Sequence, residues 1–395
     1  MDTAREVRTA RRAGGLKKLK KKTKIKGQVD RSLIFIVLFL IVFGLIMIYS
    51  ASAYSAVRSG KESNYYLMSQ LRATLLGLVA MAWLSTWDYH KFRVIAWPAY
   101  VVSLVLIVLV LTPLGMTING ARRWLNLGLS LQPAEVAKVG MIIFFSAYVY
   151  GNLKNIQHLK GIIKTMALVA LPSLMVYGIT DNLSSAIIIF SIVYIMLFIA
   201  SPKSAPYIVI AGILFLMAAF VVYVIAHNII PAELSYRLGR IKAWLDPEAY
   251  ASDRGFQTLQ ALYSIGSGGV LGKGLGQSTQ KLGFVPEAQN DMIFSIICEE
   301  LGMFGALAVI LLFIMLIYHL LMIATNAQDL FGSLLVTGVM THFALQVILN
   351  IAVVTNTLPN TGITLPFISY GGSSSVFLLT EIGIALSVSR SIRMT

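Results

Sequence analysis

Stretches of about twenty predominantly apolar residues, the length a helix needs to cross a bilayer, recur near residues 33–53, 70–87, 94–112, 134–151, 162–179, 184–201, 206–227, 292–323, 331–354 and 370–389. Inside hydrocarbon a backbone N–H or C=O finds no water, so such segments are stable only as helices that satisfy their own hydrogen bonds. The spacing therefore predicts an all-α polytopic membrane protein of about ten transmembrane helices. A cleaved leader cannot account for apolar segments that persist to residue 389. Composition agrees: 57% of residues are hydrophobic and 12% charged, against about 45–50% and 25% in soluble domains.

The net charge of +15 would suit a nucleic-acid binder, but much of the excess sits in one tail. Residues 1–31 hold twelve basic and three acidic residues, including Lys17, Lys18, Lys20, Lys21, Lys22, Lys24 and Lys26. Such a tail, expected to be disordered, stays on the cytoplasmic side of the first span and is drawn to anionic membrane lipids. A partner-binding or regulatory tail is the lesser alternative, and no nucleic-acid partner is expected. The membrane domain follows over 32–390, with a short cytoplasmic end at 391–395. Ten spans return the C-terminus, with Arg390 and Arg393, to the side of the tail, and Lys91, Arg93, Lys154, Lys160 and Lys164 in the inner connections fit that orientation. Cys298 is the only cysteine, which excludes a disulfide framework and a multi-cysteine metal site.

With this topology the segments 114–133, 228–291 and 355–369 face outward, and the largest lies between the seventh and eighth helices. Loops of that length carry function more often than they merely connect. In the first segment, Arg122 and Arg123 could hold an anionic head group or simply snorkel to the interface. Glu135 and Lys138 follow, three residues apart at a helix start, where they share a face and can pair. Between the fifth and sixth spans Asp181 and Asn182 read as a short turn or a substrate contact. In the long loop Arg237 and Arg240 sit at helical spacing and would offer two guanidinium forks to a diphosphate or to a salt bridge. The run Gly266 to Gly276 around Lys273 is no Walker loop, since Ser267 stands where a glycine is needed and Gly274 where Ser or Thr is needed. Asp291 stands where the loop meets the eighth span, a place that suits a base of raised pKa or a helix cap. Glu299 and Glu300 lie about two turns further in, where acids need partners. The segment 355–375, rich in Pro, Gly and hydroxyls, fits irregular backbone that lines a cavity.

The stretches Asn119–Trp124, Gln132–Lys138, Pro286–Phe294 and Leu358–Ser375, in that order, resemble the signature segments of the SEDS (shape, elongation, division and sporulation) family of peptidoglycan polymerases, most closely its FtsW and SpoVE branch. The similarity runs from about residue 32 onward, and the stretch with Pro359, Gly362, Pro366, Ser369, Gly371 and Gly372 is its most specific part. Three departures stand out. Gln289-Asn290-Asp291-Met292 replaces the usual His-Thr-Asp-Phe, Thr180–Ser185 replaces a usual Gln-Pro-Asp-Leu-Gly-Thr, and Ala134 replaces a usual Ser.

The resemblance implies a multi-pass protein of the bacterial cytoplasmic (inner) membrane that polymerises lipid II on its outer face. Asp291 matches the family's essential carboxylate and would act as general base. Arg122, Arg123, Glu135, Lys138, Arg237, Arg240, Lys273, Glu287 and Ser369 are the candidate substrate contacts. A divalent cation (Mg or Mn) could neutralise the leaving diphosphate, although no protein metal site is legible in the sequence. The expected partner is a class B penicillin-binding protein transpeptidase. A lipid II transporter, or a silent scaffold that recruits the transpeptidase, would use the same membrane architecture.

Overall fold

The computed structural model describes residues 29–118, 120–126, 130–202, 204–227, 236–253 and 255–392, apart from the side chains of Leu159, Tyr236, Arg237 and Leu238. The basic tail and Arg393 therefore fall outside the described residues, save for the last few positions before the first span.

Every expected apolar segment is a helix. In chain order these are α1 (Arg31–Arg58), α2 (Tyr65–Ser85), α4 (Ala96–Leu109), α5 (Pro133–Gly151), α6 (Leu159–Thr180), α7 (Leu183–Ala200), α8 (Ala205–Ala226), α11 (Ile293–Thr325), α12 (Leu330–Val354) and α13 (Gly372–Ser389). Nine are long and apolar enough to cross a membrane, and α4 is the shorter tenth. The one-turn α3 (Lys91–Val94) precedes α4, and Pro113 then excludes helical geometry at Thr112. Side-chain oxygens start three of these helices: Asp30 accepts from Leu33 N–H at 3.0 Å, Asn182 from Ser185 N–H at 3.0 Å and Asp329 from Gly332 N–H at 2.8 Å. Asp181, in left-handed backbone, and Asn182 thus form the tight turn between α6 and α7.

Two segments between the spans hold more structure than their composition suggests. The strands β1 (Gly115–Ile118), β2 (Ala121–Asn126) and β3 (Ser130–Leu131) form a three-stranded antiparallel sheet, with Gly115 opposite Leu125 and Ile118 opposite Ala121. The long segment before α11 contains α9 (Tyr236–Leu245) and α10 (Phe256–Gly268).

Small residues let helices approach where no hydrophobic driving force separates protein from lipid. At the α2–α13 contact a Cβ added to Gly383 would stand 2.9 Å from the Met81 backbone. Helix α11 is broken at Gly302, whose φ of 66° and ψ of −165° are not helical. The glycine-rich segment docks into that break: Met303 N–H donates to Gly269 O at 3.0 Å, and Lys273 and Gly274 N–H donate to Glu299 O and Glu300 O at 2.9 Å. Its glycines thus serve backbone-to-backbone packing, which resupplies the hydrogen bonds a broken span loses.

Candidate functional site

Asp291 stands one residue before the N-cap of α11, Met292. The backbone N–H groups of its own residue and of Met292 stand by its carboxylate and favour the charged form. Four other elements close around it. Gln257 of α10 donates to Asp291 Oδ1 at 3.5 Å and to Pro286 O at 3.3 Å, and accepts from Asn360 Nδ2 at 2.8 Å. Arg240 of α9 donates to Asn360 O at 3.3 Å. Asn350 of α12 donates to the backbone carbonyls of Asp291 at 2.8 Å and Ile363 at 2.7 Å. The segment between α12 and α13 is tied in by Tyr370 N–H, which donates to Gln289 O at 2.8 Å, and by Ser184 of α7, which donates to Thr361 O at 2.8 Å.

Burial and the neighbouring negative charge of Glu287 push the Asp291 carboxyl up to about 7, against the pull of those two N–H groups and of the Arg240 charge. Near neutral pH it therefore exists in both forms, and can accept a proton and release it again. Glu287 sits in left-handed backbone and takes the Asn290 amide as donor.

The structure thus brings Asp291, Glu287 and Arg240 into electrostatic reach of one another. The other sequence candidates have partners elsewhere. Glu135 and Lys138 pair at 2.7 Å, both buried, and Glu135 also accepts from Ser374 at the start of α13. Arg122 donates to Thr112 O at 2.6 Å. Arg123 donates to Thr180 O at 3.0 Å and Asp181 O at 2.7 Å, holding the end of α6. Lys273 is bonded to Glu299 at 2.6 Å, and Lys281 to Glu300 at 2.7 Å with Ser50 between them. Ser369 is buried, and its Oγ accepts Leu365 N–H at 2.7 Å. The Arg237 side chain lies outside the described ones.

Sequence reasoning missed Gln257, Asn350 and Asn360, which have no charge to mark them. Asn350 does carry one signal, a fully buried amide in an apolar span, which is costly unless bonded. His342 and Glu381, paired at 2.8 Å midway along α12 and α13, were missed for want of a partner legible in sequence.

The family model described as "Cell cycle protein", FtsW, RodA and SpoVE, matches residues 31–394. Stage V sporulation protein E of Bacillus subtilis is 37% identical over 368 residues, covering 92% of this chain and 98% of that protein. The probable peptidoglycan glycosyltransferase FtsW of Trichlorobacter lovleyi is also 37% identical, over 369 residues, covering 93% of this chain and 94% of that one. Among solved structures, a chain from work on the "structural coordination of polymerization and crosslinking by a peptidoglycan synthase complex" superimposes with a TM-score of 0.74 at 28% identity, covering 93% of this chain and 99% of that chain. The rod shape determining protein RodA of Thermus thermophilus superimposes with a TM-score of 0.64 at 26% identity, covering 93% of this chain and 98% of that chain. With these likenesses, the apolar helices make this a multi-pass membrane protein.

Proposed function

The chain belongs to the cell cycle protein family of FtsW, RodA and SpoVE, and on that premise we propose that it is a peptidoglycan glycosyltransferase. It polymerises lipid II, a disaccharide pentapeptide on undecaprenyl diphosphate, on the outer face of the bacterial cytoplasmic membrane, with both termini in the cytoplasm. The observation that carries the reading is Asp291, a buried carboxylate at the edge of the bundle with a pKa of about 7, where a general base works best at neutral pH.

As the GlcNAc 4-hydroxyl of the acceptor attacks the donor's anomeric carbon, its proton passes to Asp291. A new C–O bond forms with inversion, and the bond to the diphosphate oxygen breaks with its electron pair leaving on undecaprenyl diphosphate. A diphosphate leaves without a strong general acid, so one carboxylate suffices. Arg240, whose charge already acts on Asp291, is the described cation placed to meet that leaving group. A divalent cation would, when bound, add charge neutralisation there. Asp291 and Glu287 alone do not make a protein site for it, and among the described residues no group of three His, Cys, Asp or Glu could hold a metal. The proton transfer rests on Asp291 and the leaving charge on Arg240.

The polymerase works beside a class B penicillin-binding protein transpeptidase that cross-links the new strand, a reading supported by the likeness to a chain of a peptidoglycan synthase complex. The test is polymerisation of labelled lipid II by the purified protein with its cognate transpeptidase, comparing wild type with Asp291→Ala after confirming that both fold. Glycan from wild type alone is expected. A transporter of the same lipid is favoured by one observation, the His342–Glu381 pair at mid-span. A folded, correctly partnered wild type that moves lipid II across vesicles but makes no glycan would put that reading first.

A further inference from the structure

We propose that Asn350 is a positioning residue for the reaction: its single amide nitrogen bridges the backbone of Asp291 to the backbone of Ile363, and so sets where the base stands. The proposal rests on the polymerase reading above.

Asn350 lies one turn from the end of α12 and is fully buried. An amide in that setting costs desolvation unless its polar atoms are bonded. Both N–H bonds of Nδ2 are used, at 2.8 Å to Asp291 O and 2.7 Å to Ile363 O, while Oδ1 has no partner. The orientation is therefore fixed, since the flipped amide would turn an oxygen toward two carbonyl oxygens. The bridge joins two segments that are distant in sequence. One carries Asp291 into α11. The other is the irregular stretch in which a Cβ added to Gly362 would stand 3.8 Å from Asp291 Oδ2.

The requirement is specific to asparagine. Two donors must leave one atom at the end of a short side chain. Serine offers one donor, a protonated aspartate one, and leucine of similar shape none. Bonds within the loop and helix start take the Glu287 and Met292 carbonyls, Tyr370 N–H takes that of Gln289, and the Asp291 carbonyl is taken by Asn350. The base is thus placed from a third helix. Bound geometry is where proton transfer is sensitive, a displacement of about 1 Å being able to cost about 100-fold in rate.

The experiment compares wild type, Asn350→Asp and Asn350→Leu, each with its transpeptidase, in lipid II polymerisation across pH and in hydrogen–deuterium exchange over 286–292 and 358–366. Leucine suits an apolar span, so the variant should fold, and a thermal unfolding midpoint checks it. We expect kcat to fall about 100-fold in Asn350→Leu with KM within about twofold, and less in Asn350→Asp. The acid limb of the pH–rate profile, near pH 7 in wild type, should move to lower pH as the loosened carboxylate gains water. Exchange should rise in both peptides and nowhere else. Unchanged kcat would overturn the proposal, and so would lost activity with an unmoved acid limb and no local gain in exchange. A global loss of protection would make Asn350 merely structural. If wild type makes no polymer, the polymerase reading fails, and the exchange data alone decide whether Asn350 holds the two segments.

Discussion

A base kept near neutrality by burial should cost the fold stability, and the cost can be worked out for Asp291. Its carboxyl moves from an ordinary 3.8 to about 7, a gap of about three decades in proton affinity at about 1.4 kcal/mol each. The native state therefore binds the proton more tightly than the unfolded chain, and stability declines as pH rises from about 4 to about 7. Above that window ionised Asp291 costs up to about 4 kcal/mol. Asp291→Asn keeps the shape and never ionises. At pH 5, above the unfolded value, it should exceed wild type by about 1–2 kcal/mol, and at pH 8 by up to about 4 kcal/mol. The assay is a thermal unfolding series in detergent at both pH values on the intact chain, alongside polymerisation, which the variant should lose at every pH. A variant that is no more stable than wild type at pH 8, or one whose advantage is the same at pH 5, would refute the account of how this carboxylate is tuned.

Other outcomes follow from the same contacts. Glu287→Gln removes the negative neighbour that helps raise Asp291, so the acid limb of the pH–rate profile should shift to lower pH, read as a higher ratio of rate at pH 6 to rate at pH 8. Lys273→Met leaves Glu299 buried without its cation at 2.6 Å. It should lower stability by about 3 kcal/mol, the low end for a broken buried pair because Lys273 is a third exposed, with the KM of the surviving enzyme unchanged. Arg240→Gln should do the reverse, raising KM for lipid II with little effect on the unfolding midpoint. Gly302→Ala should abolish folding into the membrane, since its φ is 66° and the new Cβ would lie 2.3 Å from Gly272 N; stable expression at wild-type levels would contradict the docked-segment reading of that break.

The spans were legible because twenty apolar residues have one stable form in hydrocarbon, whatever their neighbours. The place of Asp291 just before a span was legible because the hydrophilic loop ends there. What escaped was everything decided by a distant partner. The strands of the β1–β2–β3 sheet are too short to show periodicity, and their pairing appears only in the fold. Lys273 is a candidate phosphate ligand, and its pairing with Glu299, on another segment, is visible only in the fold. Arg123 is a candidate head-group contact, and its bonds to the end of α6 are visible only in the fold. A basic residue in sequence shows its charge but not the acid or carbonyl that has already claimed it.

The departure at Gln289-Asn290 turns on what those positions do. Gln289 contributes its backbone carbonyl, which accepts Tyr370 N–H at 2.8 Å, while its side-chain oxygen has no partner. Asn290 contributes an amide donor to Glu287. Neither side chain titrates near neutral pH, so on the proposed mechanism neither relays the acceptor's proton, and Asp291 exchanges it with water or substrate directly. What the loop needs at 289 is a main-chain carbonyl, which any residue supplies, and at 290 a donor that holds Glu287 in its left-handed turn, which a threonine hydroxyl or an asparagine amide can both provide. The tuning of the base then rests on burial, Glu287 and Arg240, and a chain that lacks the family's histidine loses none of them.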